Sequence, residues 1–121
     1  MIVRNYTGED GKSHFEEITL AFEAYAGVRE WTALQGATGV RFVRWPAGFF
    51  LDWHNAPRRQ YVIVLSGQVE VGVEEETKRL EAGDVALEED LTGQGHTARV
   101  VGGHPLLLAV VPLEEASHRD A

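Results

Sequence analysis

The residues best placed to do chemistry lie on either side of a proline turn, in the stretch WHNAPRRQYVIVLSG. His54 ends one strand-like run, Gln60 begins the next, and His96 follows a glycine-containing loop later in the chain. Side chains alternate along a strand, so residues two apart share a face. This alternation puts Asp52 on the face of His54 and Arg58 on the face of Gln60. If the two strands are regular and face each other, we expect Asp52, His54, Arg58 and Gln60 to point into one cavity.

Two imidazoles and a carboxamide form a ligand set for a divalent metal ion. If His96 reaches the same cavity, as the resemblance described below implies, then His54, Gln60 and His96 with a water molecule can hold Zn²⁺, Ni²⁺, Fe²⁺ or Mn²⁺. The set carries no negative charge, which weakens its hold on hard cations, and Asp52 restores that charge if its side chain reaches the metal. The alternative is a metal-free interior in which Gln60 or His96 satisfies the hydrogen bonds of His54.

Arg58 and Arg59 are adjacent arginines in an acidic chain. Two guanidinium groups at the mouth of a cavity can grip a carboxylate or a phosphate, which predicts a small anionic organic ligand. Arg58 and Asp52 are the residues predicted to contact it. In the alternative interpretation, the two arginines pair with surface acids or with a neighbouring subunit.

Composition excludes several classes of function. The 121 residues include 19 acidic and 11 basic side chains, giving a formal net charge of -8, so nucleic acids and anionic membranes are not expected as partners. The absence of cysteine excludes disulfides, thiolate metal sites and cysteine nucleophiles. No segment has the length and apolarity of a membrane span or of a signal peptide, which predicts a cytoplasmic protein.

The elements that position these residues are predicted to be short β-strands. The segment SHFEEITLAFEAY fits neither the helical nor the strand period cleanly, and we interpret it as strand. Short runs of this kind are typical of an antiparallel sandwich or barrel. From Thr38 onward eight runs are bounded by Gly, Pro or acidic turns: TGVRFVRW, GFFLDWH, RQYVIVLSG, QVEVGVE, TKRLEAG, DVALEE, HTARVV and PLLLAVVPL.

The organisation is simple. A single domain is predicted over residues 1–113, followed by a polar, frayed tail over residues 114–121. YVIVLSG and PLLLAVVPL are apolar on both faces, so each needs cover on two sides. The simplest second cover is another copy of the chain, which predicts a homodimer.

The stretch around His54 resembles the first motif of the cupin family, G-x5-H-x-H-x3-4-E-x6-G. Its spacing is matched from Gly48 to Gly67, with His54 at the first histidine. Ala56 stands at the second histidine, and Gln60 stands at the glutamate. Two of the three metal-ligand letters have therefore changed while the spacing is kept.

The second cupin motif is matched more loosely. It begins at Gly83, and His96 takes the place of its histidine. The loop before His96 is two residues longer than the pattern, and Glu89, Leu91 and Val100 replace its proline, glycine and asparagine. The resemblance implies an all-β, antiparallel jelly-roll β-barrel of the small bacterial single-domain type. It also implies a metal held by His54, Gln60 and His96, with no organic cofactor.

The sequence leaves three functions open. One is a metal-dependent cupin that acts on a small, anionic organic molecule. Another is a metal-free enzyme in which His54 or His96 exchanges protons with the ligand. The last is a non-catalytic binding module, because a fold of this kind does not by itself decide between an enzyme and a binder.

Overall fold

The computed structural model describes residues 1–114, and all regular structure within that range is β-strand. No helix able to cross a membrane occurs in this part of the chain. Apart from Glu114, the predicted polar tail lies outside the described residues. Twelve strands follow one another: β1 (Ile2–Thr7), β2 (Ser13–Glu17), β3 (Glu23–Ala26), β4 (Arg29–Trp31), β5 (Arg41–Trp45), β6 (Phe50–His54), β7 (Gln60–Ser66), β8 (Gln68–Gly72), β9 (Thr77–Glu81), β10 (Val85–Glu89), β11 (His96–Val101) and β12 (Leu106–Pro112).

The strands form two main sheets and one hairpin. Six strands make a sheet in the order β2-β1-β10-β7-β12-β5, and four make a second sheet in the order β6-β11-β8-β9. Strands β3 and β4 pair only with each other. Within residues 1–114 every pair of neighbouring strands is antiparallel except β1 and β10, which run parallel to each other. The all-β jelly-roll class predicted from the sequence is confirmed.

All eight runs predicted after Thr38 contain a strand, β5 to β12 in order. The earlier segment SHFEEITLAFEAY contains two strands, β2 and most of β3, separated by residues 18–22. Its apolar positions fit one strand poorly because they belong to two strands in different sheets. Phe15 of β2 packs against the main core, whereas Phe22, just before β3, is largely exposed.

The core lies between the two main sheets. Val64 of β7 and Leu106 of β12 come from the larger sheet, and Val69 of β8 and Leu80 of β9 come from the smaller one. All four are at most 4% exposed. Burying one such side chain stabilises a fold by about 1.5–3 kcal/mol. The sheets therefore pack face to face, and the space between them that apolar side chains do not fill forms the cavity described below.

The outer face of β7 is covered in part by the same chain. Tyr61 and Ile63 share a surface pocket with Leu20 and Trp31. The Tyr61 hydroxyl also exchanges hydrogen bonds with the side-chain amide of Gln35, at 2.9 and 3.1 Å. Residues 20–35 of the same chain thus cover at least part of the outer apolar face of β7. The homodimer stays a prediction, and this strand gives it less support than the sequence suggested.

Candidate functional site

A cavity of about 270 Å³ lies between the two sheets. Its walls are mostly aliphatic side chains from both sheets, including Val62, Val71 and Leu108. The polar part of the lining consists of Arg41, His54, Gln60, Glu88 and His96. The three predicted metal ligands therefore lie on one cavity, as the sequence led us to expect.

His96 is the first residue of β11 and is only 2% exposed. Its Nδ1 lies 2.6 Å from Oδ2 of Asp90, which is fully buried and also accepts a hydrogen bond from the Ser13 hydroxyl at 2.8 Å. Its Nε2 lies 3.5 Å from Oε2 of Glu88. Burial lowers the pKa of His96, but hydrogen bonds and charge from Asp90 and Glu88 outweigh that effect and raise the pKa to about 9.

Glu88 lies on β10 directly opposite Gln60 of β7 in the antiparallel register. The Gln60 side-chain amide donates a hydrogen bond to Oε1 of Glu88 at 2.8 Å. Burial would raise the pKa of Glu88, yet the hydrogen bonds from His96 and Gln60 and the positive charge of His96 lower it below its usual value. A carboxylate anion is therefore held at the polar end of the cavity.

His54 ends β6 and lies opposite His96 in the register. Its Nδ1 is 2.7 Å from the main-chain carbonyl oxygen of Asp52. A neutral ring that donates from Nδ1 carries its lone pair on Nε2. The ring centroids of His54 and His96 are 4.3 Å apart, in an edge-to-face arrangement. The backbones approach closely here because the residue before His96 is Gly95, where a Cβ atom would collide with the carbonyl of His54.

Asp52 and Arg58 are exposed and do not line the cavity. Strict alternation fails for Arg58 because it precedes β7, which begins at Gln60, and it fails for Asp52 because β6 contains a bulge. His54 pairs with His96, but Leu51 pairs with Ala98, so three steps along β6 match two steps along β11. The extra residue turns Leu51 inward with His54 and leaves Asp52 outside, its carboxylate accepting the N–H of Trp53 at 2.8 Å. A part for Asp52 or Arg58 in ligand binding stays a prediction.

The arginine that does line the cavity is Arg41, the first residue of β5. Arg41 and Pro57 are both exposed to solvent and both contribute to the lining, so the cavity reaches the surface at these residues. Arg59, the partner of Arg58 in the sequence, is engaged elsewhere. Its guanidinium donates to the Glu89 carboxylate, which faces away from the cavity.

Sequence reasoning missed Glu88, Asp90 and Arg41. The signal for Glu88 was alternation along DVALEE, where Ala86 and Glu88 share one face, combined with the pairing of β10 and β7. Arg41 could be found in the same way from Val43, two residues further along β5. Asp90 gave no such signal, because it follows the end of β10 and its position depends on the loop that returns to His96.

The histidines of the cavity have the supporting hydrogen bonds that metal ligands need. Histidine ligands of metals almost always donate their second ring N–H to a carboxylate or a carbonyl oxygen. Both histidines meet that condition, His96 through Asp90 and His54 through the carbonyl of Asp52. The polar end of the cavity therefore fits a divalent cation in ligand type and in supporting hydrogen bonds.

A second group of possible ligands lies on the surface. Among residues 1–114, the His, Asp and Glu side chains close enough together to share an ion as three ligands are Asp10, His14 and Glu75. His54 is thus too far from one or both of His96 and Glu88 to complete such a group without turning its side chain. His96 and Glu88 form the part of the cavity site that is already in place.

Three solved structures illustrate what the fold is similar to. The cupin domain of Schizosaccharomyces pombe Cnp3 has a TM-score of 0.55 at 14% identity, covering 89% of this chain and 77% of that one. A cupin 2 conserved barrel domain protein from Salinispora arenicola has a TM-score of 0.54 at 15% identity, covering 77% of this chain and 76% of that one. The DMSP lyase DddQ from Ruegeria pomeroyi has a TM-score of 0.52 at 22% identity, covering 64% of this chain and 38% of the lyase. At these identities the likeness shows the fold alone.

The sequence comparisons agree with the structural ones. No curated protein matches the chain. The family model described as a cupin domain matches residues 41–112, which is more than half of the chain. The matched residues run from β5 through β12 and include His54, Gln60, Glu88 and His96. The chain belongs to the cupin domain family.

Proposed function

We propose that the protein binds one divalent first-row metal ion at the polar end of its cavity, together with a small organic ligand. The predicted metal ligands are His54, Gln60 and His96, and the ion is Zn²⁺, Ni²⁺, Fe²⁺ or Mn²⁺. The observation that carries the proposal is the pair of facing imidazoles. Each has Nδ1 bonded to an acceptor on the protein, and both rings line the same cavity.

The proposed ligand is small and mostly apolar, with an anionic end. A cavity of about 270 Å³ lies just below the range usual for drug-sized ligands, and its walls are aliphatic over most of their area. Arg41 stands where the cavity opens and can pair with a carboxylate or a phosphate. This gives the guanidinium role that the sequence assigned to Arg58 to a different strand.

The chemistry follows from what each group can do. A bound divalent ion would supply Lewis-acid polarisation of a ligand oxygen, or redox chemistry if the ion is iron or manganese. In protein without the ion, Nε2 of His96 is open to the cavity, and His96, held in orientation by Asp90, can exchange a proton there with a ligand. The aliphatic walls exclude water and keep these interactions in a medium of low dielectric constant.

The proposal is tested by elemental analysis of protein purified without an affinity tag or a chelator. We expect close to one metal ion per chain in the wild type, loss of that metal in His54→Ala, and its retention in His104→Ala, which changes an exposed histidine outside the cavity. Absence of metal from the wild type, even after incubation with Fe²⁺, Mn²⁺, Ni²⁺ and Zn²⁺ in turn, would reject the metal site.

A metal-free acid–base enzyme is the second candidate. The arrangement that favours it is His96 between the carboxylates of Asp90 and Glu88, an environment that supports a proton donor or acceptor without a cation. Metal-free protein that turns over a ligand and loses this activity in His96→Gln would identify it. Metal-free protein that only binds ligand would leave the third possibility, a non-catalytic binding module.

We also propose that the protein works in the cytoplasm as a homodimer. The exposed apolar side chains favour association, among them Trp53, which is 44% exposed on the outer side of β6. Sedimentation equilibrium decides the assembly, because a monomeric mass across the micromolar range contradicts the dimer.

A further inference from the structure

The predicted metal ligands lack a negative charge. His54 and Gln60 are neutral ligands, and His96 can bind a metal ion only as a neutral imidazole. Divalent first-row ions held by nitrogen ligands commonly gain affinity from an anionic oxygen, and Asp52, which the sequence suggested for this purpose, lies outside the cavity. The lining carboxylate is Glu88.

Two possible ligand atoms at the polar end, Nε2 of His96 and Oε2 of Glu88, lie 3.5 Å apart. Two ligand atoms that each lie about 2.0–2.1 Å from a tetrahedral ion are separated by about 3.4 Å. The observed spacing matches that separation. A cation can therefore take the place of the proton between the two groups with little movement of either side chain.

The orientation of Glu88 is fixed by its cross-strand partner. The Gln60 amide donates to Oε1 at 2.8 Å, which leaves Oε2 directed towards His96. An amide is a weak metal ligand but a good hydrogen-bond donor, so this contact suits Gln60 better than coordination does. The strand register holds the pair together, since Gln60 and Glu88 lie directly opposite each other.

We propose that Glu88 is the anionic metal ligand of this cavity and that Gln60 is a positioning residue for it. The inference rests on the metal site proposed above and changes its composition. His54, Glu88 and His96 bind the ion, with His54 turning towards the other two. Gln60 supports Glu88 as Asp90 supports His96.

The test is a Zn²⁺ titration by competition with a chromophoric chelator. All variants carry His14→Ala, which removes the surface group of Asp10, His14 and Glu75 as a competing site. We expect Glu88→Gln to weaken Zn²⁺ binding by at least about a hundredfold, the upper end of the cost of losing a supporting contact. Glu89→Gln is the matched control, because its neighbouring carboxylate pairs with Arg4 and Arg59, and it should keep the wild-type affinity.

A reciprocal exchange separates coordination from folding. In the double variant Gln60→Glu with Glu88→Gln, the carboxylate and the amide trade strands at one cross-strand position, and most of the Zn²⁺ affinity should return. With Co²⁺ as the probe, Gln60→Ala should alter the visible absorption spectrum of the bound ion while leaving one ion per chain. A purely structural role for Gln60 would leave that spectrum unchanged.

The outcomes distinguish this inference from the proposed function. If Glu88→Gln binds Zn²⁺ as tightly as its parent while His54→Ala does not, the metal site stands and the role of Glu88 is rejected. If the exchanged variant folds and binds no better than Glu88→Gln alone, the role of Glu88 as an exchangeable ligand is likewise rejected. If the parent binds no Zn²⁺, both proposals fail.

Discussion

At the scale of single residues, the chemistry depends on which way each of three neighbouring acids points. Glu88 faces the cavity, Glu89 faces two arginines on the other side of β10, and Asp90 turns beneath His96. Three consecutive carboxylates thus perform three different tasks. All three are acidic residues, so composition could not separate their roles. Alternation along β10 could assign Glu88 and Glu89, whereas Asp90 lies beyond the strand.

The pairing of Glu89 with Arg4 and Arg59 predicts a measurable loss of stability when the charge of Glu89 is removed. Burial would raise the pKa of Glu89, but hydrogen bonds and charge from the two arginines lower it below its usual value. We expect Glu89→Gln to lower the free energy of unfolding at pH 7 by about 1–3 kcal/mol, a typical worth for hydrogen bonds to a charged group. Urea denaturation measures this, with Glu76→Gln as an exposed control.

The same variant has a defined dependence on pH. Because the pKa of Glu89 is lower in the folded than in the unfolded protein, its contribution is fully present above the ordinary carboxyl pKa. The contribution is lost as the pH falls through the lowered folded-state value. The difference between wild type and Glu89→Gln should therefore shrink on acidification below about pH 4.5. A difference that grows in that range contradicts the ion-pair account.

At the scale of elements, the strands of this fold were predictable and the bulge was not. The runs that form β5 to β12 are recognisable from apolar alternation and from turn residues, and both signals depend only on local chemistry. The bulge in β6 arises where Phe50 to His54 must pair with β11 while the backbones cross closely at Gly95. That constraint is tertiary, and it turned Leu51 inward where strict alternation pointed Asp52 into the cavity.

Gly95 is the residue that lets β6 and β11 approach each other. It adopts a φ of 79°, and a Cβ atom there would collide with the main chain of His54. We expect Gly95→Ala to cost more than the roughly 1–2 kcal/mol of a left-handed alanine, and to weaken Zn²⁺ binding by displacing His54. Gly83→Ala is the matched control, with a φ of 95° and open space around its Cβ.

Both variants are compared by urea denaturation and by Zn²⁺ titration. Gly83→Ala should show only the backbone cost and keep the affinity for the ion. Equal stability losses in the two variants, with equal Zn²⁺ affinity, would mean that the close crossing at Gly95 does not position His54.

At the scale of the whole molecule, two sheets enclose a cavity with a polar end and a cationic opening. The cupin motif spacing in the sequence was sufficient to predict that His54, Gln60 and His96 meet on one cavity, and they do. It was not sufficient to predict which arginine stands at the opening, because Arg41 enters from β5, outside both motifs. The sequence alone favours the adjacent pair Arg58 and Arg59. In the structure Arg58 is exposed and Arg59 pairs with Glu89.

The opening predicts a preference for ligands with an apolar body and an anionic head. We expect hexanoate to raise the thermal midpoint more than hexanol does, since Arg41 can pair with the carboxylate while both chains fill the aliphatic part of the cavity. Arg41→Ala should lower the affinity for hexanoate about three- to fivefold, the worth of a partly solvated ion pair, and leave hexanol unaffected. Arg58→Ala is the matched control, because its exposed guanidinium lies off the lining and its loss should change neither ligand. Loss of the hexanoate preference in Arg58→Ala, with none in Arg41→Ala, would return the anion site to the position expected from the sequence.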